Sequence, residues 1–218
     1  MDIHKESLAD FMSRMRVLLD NIGGNATIAA AMAQFGYDAI RLQEGRTLLE
    51  ELSDAGKVQV KEYSDQYAAT EAVMQAWEKA DKLYGLHRAL AKRVFKSDQH
   101  AMRGLLLTEK KPRRRADWVW QAEVFYDRLL QSPEWVTAMG TFGLTQLGLE
   151  AAQTAVLNVK TLHSTQQDET GEAQEATLLR DEIWAEARVW VVTAIEVAQF
   201  ALEDHPQLIE SLGVVESS

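Results

Sequence analysis

The chain has 218 residues, of which 46% are hydrophobic and 26% are charged, so it is long enough to bury a hydrophobic core. Its formal net charge of −10 disfavours general binding to the phosphates of nucleic acid. It contains no cysteine, which excludes disulfides, thiol catalysis and cysteine-based zinc sites. Only 3 prolines and 12 glycines interrupt it, and this favours long helices over a many-turned β fold.

Neither targeting to export nor membrane insertion is indicated by the sequence. Residues 1–7 lack the basic and apolar segments of a secretory signal. The most apolar late segment, residues 190–202, is too short and too polar to cross a bilayer. We therefore expect a cytoplasmic protein.

The first three predicted elements are helices. Apolar residues between Ser7 and Asn21 recur every three or four positions, which predicts an amphipathic helix. Asn25 is a preferred N-cap and predicts the start of a short second helix, whose left-handed end is predicted at Gly36. Asp38 is also an N-cap type and predicts the start of a third helix.

Two polar segments interrupt the apolar pattern of the long predicted helices. Residues 53–66 and residues 160–172 are mostly polar, and we interpret both as the tips of helical hairpins. The helix that follows the first tip is predicted over residues 67–96, with a short helical turn near residues 102–107. Neither polar segment contains proline, so the alternative is one unbroken helix with a solvated middle.

The most basic segment of the chain, residues 110–115, follows this turn. Such a run can bind nucleic acid, anionic lipid or an acidic protein. It contains no aromatic residue on which a base could stack, so we interpret it as a solvated linker. We expect it to lie against residues 116–218, which carry 4 basic and 17 acidic side chains. Its candidate interaction residues are Lys110, Lys111, Arg113, Arg114 and Arg115.

The sequences on the two sides of this linker resemble each other. Residues 16–52 align with residues 123–159 at an offset of 107. Within this alignment Ala-Met-x-x-Phe-Gly occurs twice, and Gly36 coincides with Gly143. Further matches at offsets of 104 and 106 indicate small insertions or deletions later in the repeat.

The predicted helix boundaries coincide as well. Asn25 aligns with Ser132, and Asp38 aligns with Thr145, so all four are N-cap types. Pro133 is the favoured first residue of a helix and directly follows Ser132. We therefore predict a duplication, with repeat 1 over residues 1–109, the linker over 110–115 and repeat 2 over 116–218.

The sequence thus predicts an all-α fold with two tandem, related helical-bundle repeats. Each repeat contains two short helices, a long helical hairpin and a final short turn of helix, which in repeat 2 begins at Pro206. The repeats could pack end to end, or side by side as one pseudo-twofold, elongated bundle.

Catalytic and cofactor motifs are absent from the sequence. No Glu-x-x-His pair is present for a di-iron bundle, and His-Glu-x-x-His is missing. The chain also lacks a Walker A loop, a Gly-x-Gly-x-x-Gly loop and a Gly-x-Ser-x-Gly nucleophile elbow. We therefore predict a protein that is not an enzyme, with no cofactor and no metal site.

A few further side chains are candidates for interaction. Asp168, Glu172 and Glu175 begin an acidic series at helical spacing, which is a docking face for a basic partner, a weak divalent-cation surface or a solvated helix face. Trp118 follows the basic segment and is interpreted as a core or interface anchor. His87 lies among apolar residues and is interpreted as a partly buried histidine bonded to a neighbour.

These observations predict a non-catalytic helical scaffold or adaptor that acts through protein–protein contacts. Its expected partner is another protein, a second copy of the chain in a homo-oligomer, or both. The alternative is a bundle that binds a small apolar ligand or cofactor in its core. A third hypothesis is docking to nucleic acid or a membrane surface through the basic linker.

Overall fold

A computed structural model describes residues 6–212, which form eight helices and no strand. The predicted all-α fold class is therefore confirmed. The first five residues of predicted repeat 1 and the last six of predicted repeat 2 lie outside the described residues. In chain order the helices are α1 (Leu8–Gly24), α2 (Ala26–Ala33), α3 (Ala39–Val94), α4 (Gln99–Gly104), α5 (Arg115–Gln131), α6 (Pro133–Gly140), α7 (Gln146–Ala201) and α8 (Pro206–Ser211).

The two sets of four helices have the same lengths. Helices α1 and α5 have 17 residues, α2 and α6 have 8, α3 and α7 have 56, and α4 and α8 have 6. Each helix of the second set begins 107 residues after its counterpart. The boundaries keep this offset to the last helix, so the offsets of 104 and 106 read from the later sequence are not needed.

The helix boundaries lie where the capping residues predicted them. The side chain of Asn25 accepts hydrogen bonds from the backbone N–H groups of Thr27 and Ile28 at 3.0 and 3.3 Å. Gly36 and Gly143 have φ angles of 87° and 79°, a left-handed conformation that favours glycine. The predicted caps Asp38, Ser132 and Thr145 also accept bonds from the first free backbone N–H groups of their helices.

The predicted hairpin tips are wrong, because α3 and α7 are unbroken through residues 53–66 and 160–172. Both segments are compatible with a helix, since they lack proline and each contains Lys, Glu and Gln, which favour helix. Each predicted tip contains one or more glycines, and a glycine in a helix costs only about 1 kcal/mol. The alternative that the sequence left open, one helix with a solvated middle, is the structure that forms.

Gly171 offers a test of this continuity. Nothing lies within 4 Å of a methyl group added at Gly171, which sits inside α7. We expect Gly171→Ala to raise the free energy of unfolding by about 0.5–1 kcal/mol, because alanine restricts the unfolded chain and favours helix. Urea denaturation measures this change.

Gly143→Ala is the matched control, because the space around Gly143 is also open but its φ is positive. This substitution should lower the free energy of unfolding by about 1–2 kcal/mol through backbone strain alone. A loss of stability in Gly171→Ala as well would contradict the unbroken helix.

The described chain contains two compact units. Unit 1 consists of residues 1–63 and 172–218, and unit 2 consists of residues 64–171. Each unit therefore contains segments from both sides of the basic linker, so the compact units and the predicted repeats divide the chain at different points. Helices α3 and α7 each contribute one part to unit 1 and the other part to unit 2.

Each unit has its own hydrophobic core. In unit 1, α1 and α2 pack with the first part of α3 and the last part of α7, and fully buried Phe11, Leu18 and Met32 belong to this core. In unit 2, α5 and α6 pack with the last part of α3 and the first part of α7, around Trp118, Phe125 and Met139. Each of these unit 2 residues lies 107 positions after its unit 1 counterpart.

The polar segments of the long helices form hydrogen bonds within each unit. In unit 1, Gln59 Nε2 donates to Thr177 Oγ1 at 3.3 Å, and Arg180 Nη1 donates to Gln59 Oε1 at 2.9 Å. In unit 2, Gln66 Nε2 donates to Thr170 Oγ1 at 3.4 Å. These bonds give several polar side chains between α3 and α7 a partner without a turn.

Candidate functional site

The basic linker lies against α3 in unit 2. Lys111 Nζ contacts the two carboxylate oxygens of Asp81 at 2.7 and 2.9 Å. Asp81 precedes the linker in the sequence, so this ion pair is not one with the acidic residues 116–218, against which the linker was expected to lie. The ion pair lies at the surface, so it contributes at most about 1 kcal/mol.

Backbone contacts hold the same segment more firmly. Gln121 is buried and its Nε2 donates to the carbonyl of Lys110 at 3.1 Å. Arg88, also buried, donates to the carbonyl of Leu106 at 3.0 Å and to the carbonyl of Glu109. Hydrogen bonds from a charged donor are among the stronger ones, so these contacts fix the path of the chain into the linker.

The other cations of the linker differ in their surroundings. The guanidinium of Arg115 lies over the ring of Trp77, 5.4 Å from its centroid. Arg114 Nε lies 3.9 Å from Asp117 Oδ2, an exposed pair one helical turn apart. Lys110 and Arg113 are exposed and make no ion pair within residues 6–212. Within the linker, the side chains of Lys111 and Arg115 therefore contact α3. The other three cations extend into solvent without such a contact.

Trp118 belongs to the core of unit 2. Its side chain is fully buried, and its indole Nε1 donates to Asp81 Oδ1 at 2.7 Å. Its ring packs edge-on against Trp77 and Tyr84, with centroids 6.2 and 5.9 Å apart. Because it is inaccessible to solvent, Trp118 offers no surface to a partner.

Buried polar side chains form two pairs beside Trp118. Tyr84 donates its hydroxyl hydrogen to Gln121 Oε1 at 2.9 Å. His87 Nδ1 lies 3.0 Å from the hydroxyl of Tyr126, and only 4% of His87 is exposed. His87 is thus bonded to a neighbour, as the sequence indicated, and more deeply buried than expected.

The environment of these groups keeps them uncharged. Burial raises the pKa of Tyr84 to about 12, and it raises the pKa of Tyr126 as well. Burial also lowers the pKa of His87, because the protonated ring would lose its hydration. Neutral side chains that are paired with one another form a structural network.

The acidic candidates are exposed on α7. Asp168 lies in unit 2, whereas Glu172 and Glu175 lie in unit 1. None of the three makes an ion pair within the part of the chain that the structure describes. This arrangement fits a solvated helix face.

An exposed apolar stripe on α7 in unit 1 was missed at the sequence level. It consists of Leu178, Val189 and Phe200, which are 70%, 67% and 73% exposed. Their spacing of 11 residues is close to three helical turns, so the three side chains share one face. Val192, which is 38% exposed, adds to the same face.

The stripe and the buried residues of α7 lie on different faces of the helix. Val191 is 1% exposed and belongs to the core of unit 1, whereas the stripe points away from that core. The 11-residue period was the signal that could have separated the two faces.

The counterpart positions on α3 carry no such stripe. At an offset of 107, Leu178, Val189 and Phe200 correspond to Glu71, Lys82 and Arg93. A charged triplet is what a solvated helix face normally carries, so α7 and α3 differ at these three counterpart positions. Within residues 6–212, no helix has an apolar segment of the length that a bilayer requires.

Comparison with known proteins adds no assignment to these features. No protein-family model, no curated protein and no solved structure matches the chain.

The described residues also form several surface clefts with charged walls. A cleft of about 400 Å³ in unit 1 lies between α1 and α3. Its walls contain Arg16, Arg46 and Lys57 together with Asp20 and Asp54, so both charge signs are present. Arg46 Nη1 and Asp20 Oδ1 lie 4.0 Å apart across it. Opposite charges within the cleft can neutralise each other, which leaves no single ligand charge favoured.

Proposed function

We propose that this protein is a non-catalytic helical scaffold that binds another protein chain through the apolar stripe of α7. The stripe of Leu178, Val189 and Phe200 carries this proposal, because it exposes large apolar side chains in line on a well-formed helix. Scattered exposed apolar residues are normal on proteins, and the alignment of these three on one helical face is what supports an interaction surface here. The absence of catalytic motifs from the sequence agrees with a scaffold role.

We include the duplication in this proposal. The equal helix lengths, the constant offset of 107 and the matching caps support it. Equivalent side-chain contacts support it further: Phe11 and Trp184 have ring centroids 6.1 Å apart, and their counterparts Trp118 and Trp77 lie 6.2 Å apart. A duplicated scaffold can keep one copy for stability while the other acquires a docking face.

The chemistry of the stripe favours an amphipathic partner helix with basic flanks. Glu182 and Glu196 lie on the same helical face as the apolar residues and make no ion pair within the described residues. A second copy that packed antiparallel and centred on Val189 would place Glu182 opposite Glu196, and like charges repel. A helix with apolar residues and nearby lysines or arginines avoids this repulsion.

Photo-crosslinking from position 189 tests the proposal. We expect a photoreactive residue at Val189 to form a defined product with a partner chain, and Phe200→Glu in the same chain to remove it. The charge introduced by Phe200→Glu would have to be desolvated in the complex. Phe200 is 73% exposed, so this substitution should change the free energy of unfolding by less than about 0.5 kcal/mol.

The counterpart face provides the control. A photoreactive residue at Lys82 should form no such product, because Lys82 lies among charged residues on α3. The mass of the product distinguishes a second copy from another protein. No product from position 189, or the same product from position 82, would contradict the proposal.

A small apolar ligand in a bundle core stays a prediction. The surface clefts whose walls include Arg46, Arg103 or Arg128 contain charged side chains, which does not favour an apolar ligand there.

A further inference from the structure

A cleft of about 730 Å³ lies in unit 2 between α4 and α5. Helix α4 contributes His100 and Arg103, and helix α5 contributes Trp120 and Arg128. No acidic residue lines this cleft. Its volume is in the range of pockets that bind small molecules.

The two arginines of the cleft have free guanidinium groups. Neither Arg103 nor Arg128 makes an ion pair or a side-chain hydrogen bond within residues 6–212, and both are exposed. Arg128 Nη1 lies 3.8 Å from the position of a methyl group added at Gly104, the residue next to Arg103. Two permanently charged guanidinium groups with unused donors, one from each helix, suit a phosphate group.

The indole ring of Trp120 adds an apolar surface to the same cleft. Trp120 is 58% exposed, although the neighbouring Trp118 is fully buried. An exposed indole beside arginines offers a flat apolar face on which a planar ring can stack. The cleft therefore combines an anion site with a stacking surface.

Strained backbone shapes one edge of this cleft. Leu106 lines it and has a φ of 52°, a left-handed conformation that is unfavourable for leucine. The buried side chain of Arg88 holds this turn through the carbonyl of Leu106. Strain that the surrounding structure maintains is more frequent at binding sites than elsewhere.

The counterpart positions in unit 1 lack this chemistry. At an offset of 107, Arg103 corresponds to Glu210, Arg128 to Asn21 and Trp120 to Ser13. There, Asn21 Nδ2 donates to the carbonyl of Ser211 at 2.5 Å and links the two helices directly. In unit 1, α1 and α8 therefore contact each other without the two arginines and the tryptophan. The presence of these three residues in unit 2 calls for another explanation.

We propose that this cleft binds a small molecule in which a phosphate group is joined to a planar aromatic ring system, as in a nucleoside monophosphate. Arg103 and Arg128 bind the phosphate, Trp120 stacks on the ring, and His100 supplies a further hydrogen-bonding nitrogen. This site is separate from the α7 stripe and does not depend on the scaffold function.

Isothermal titration of the full chain with AMP, adenosine and inorganic phosphate tests this site. We expect AMP to bind more tightly than either of its parts, because only AMP uses both the arginines and the indole. Arg103→Gln with Arg128→Gln should weaken AMP binding by about tenfold or more, since both charged hydrogen-bond donors are lost. Trp120→Ala should weaken the binding of AMP but leave that of inorganic phosphate unchanged.

Arg113→Gln with Arg114→Gln is the matched control, because it removes the same charge from exposed linker positions. It should leave AMP binding within about twofold of the unchanged protein, since neither side chain lines the cleft. The proposal is overturned if AMP does not bind, if it binds no better than adenosine or phosphate alone, or if both double variants weaken it equally. Circular dichroism of each variant confirms that it is folded.

Discussion

We expect Gly45→Ala to destabilise the protein by about 3 kcal/mol, as overpacking of a core does. A methyl group at Gly45 would lie 2.6 Å from Cζ2 and 2.8 Å from Cε2 and Cη2 of Trp190. The indole cannot retreat easily, because Trp190 is only 4% exposed and packs edge-on against Tyr37 with centroids 5.5 Å apart. Chemical denaturation of the variant measures the loss.

The double variant Gly45→Ala with Trp190→Leu separates the clash from other effects of alanine. It reproduces the pair found at the counterpart positions in unit 2, which are Ala152 and Leu83. Once the indole is absent, Gly45→Ala should no longer destabilise and should gain up to about 1 kcal/mol from helix propensity. An equal loss from Gly45→Ala in both backgrounds would show that Trp190 does not cause it.

We expect Trp118→Ala to lower the free energy of unfolding by about 4 kcal/mol. The fully buried indole fills the core of unit 2 between Trp77 and Tyr84, so its removal leaves a cavity. It also leaves Asp81 without the hydrogen bond from Nε1. Thermal and urea unfolding measure the loss, and crosslinking from position 189 should remain in the folded fraction.

Trp118→Phe is the milder comparison, because Phe11 occupies the counterpart position in the core of unit 1. Phenylalanine keeps a six-membered aromatic ring in the core but cannot donate the hydrogen bond to Asp81. The free energy of unfolding should therefore fall by about 1–2 kcal/mol. If Trp118→Ala were no more destabilising than Trp118→Phe, the packing of the indole would not be what stabilises unit 2.

The boundaries of the helices could be predicted because their causes are local. Asn25 and Asp38 accept hydrogen bonds from backbone N–H groups two or three residues away, and Gly36 adopts a left-handed conformation that few other residues tolerate. None of these interactions requires a distant part of the chain. The start of α2, its end and the start of α3 were therefore readable from residue types alone.

The candidate site was only partly readable. The basic linker was visible as a run of cations, but the sequence could not reveal that Lys111 contacts Asp81, 30 residues earlier. Nor could it separate Trp118 from Trp120, two residues apart, of which one is fully buried and the other 58% exposed. The difference depends on which face of α5 the rest of unit 2 covers.

The small number of glycines and prolines was enough to predict helices, and the absence of cysteine was enough to exclude cysteine chemistry. The sequence by itself determined the all-α class and the caps, because helix period and capping act within a few residues. Only the tertiary structure decided that residues 53–66 and 160–172 continue two helices of 56 residues. A polar segment without proline is compatible with a turn or a helix, and long-range contacts such as Gln59 with Thr177 satisfy the polar groups of the helix.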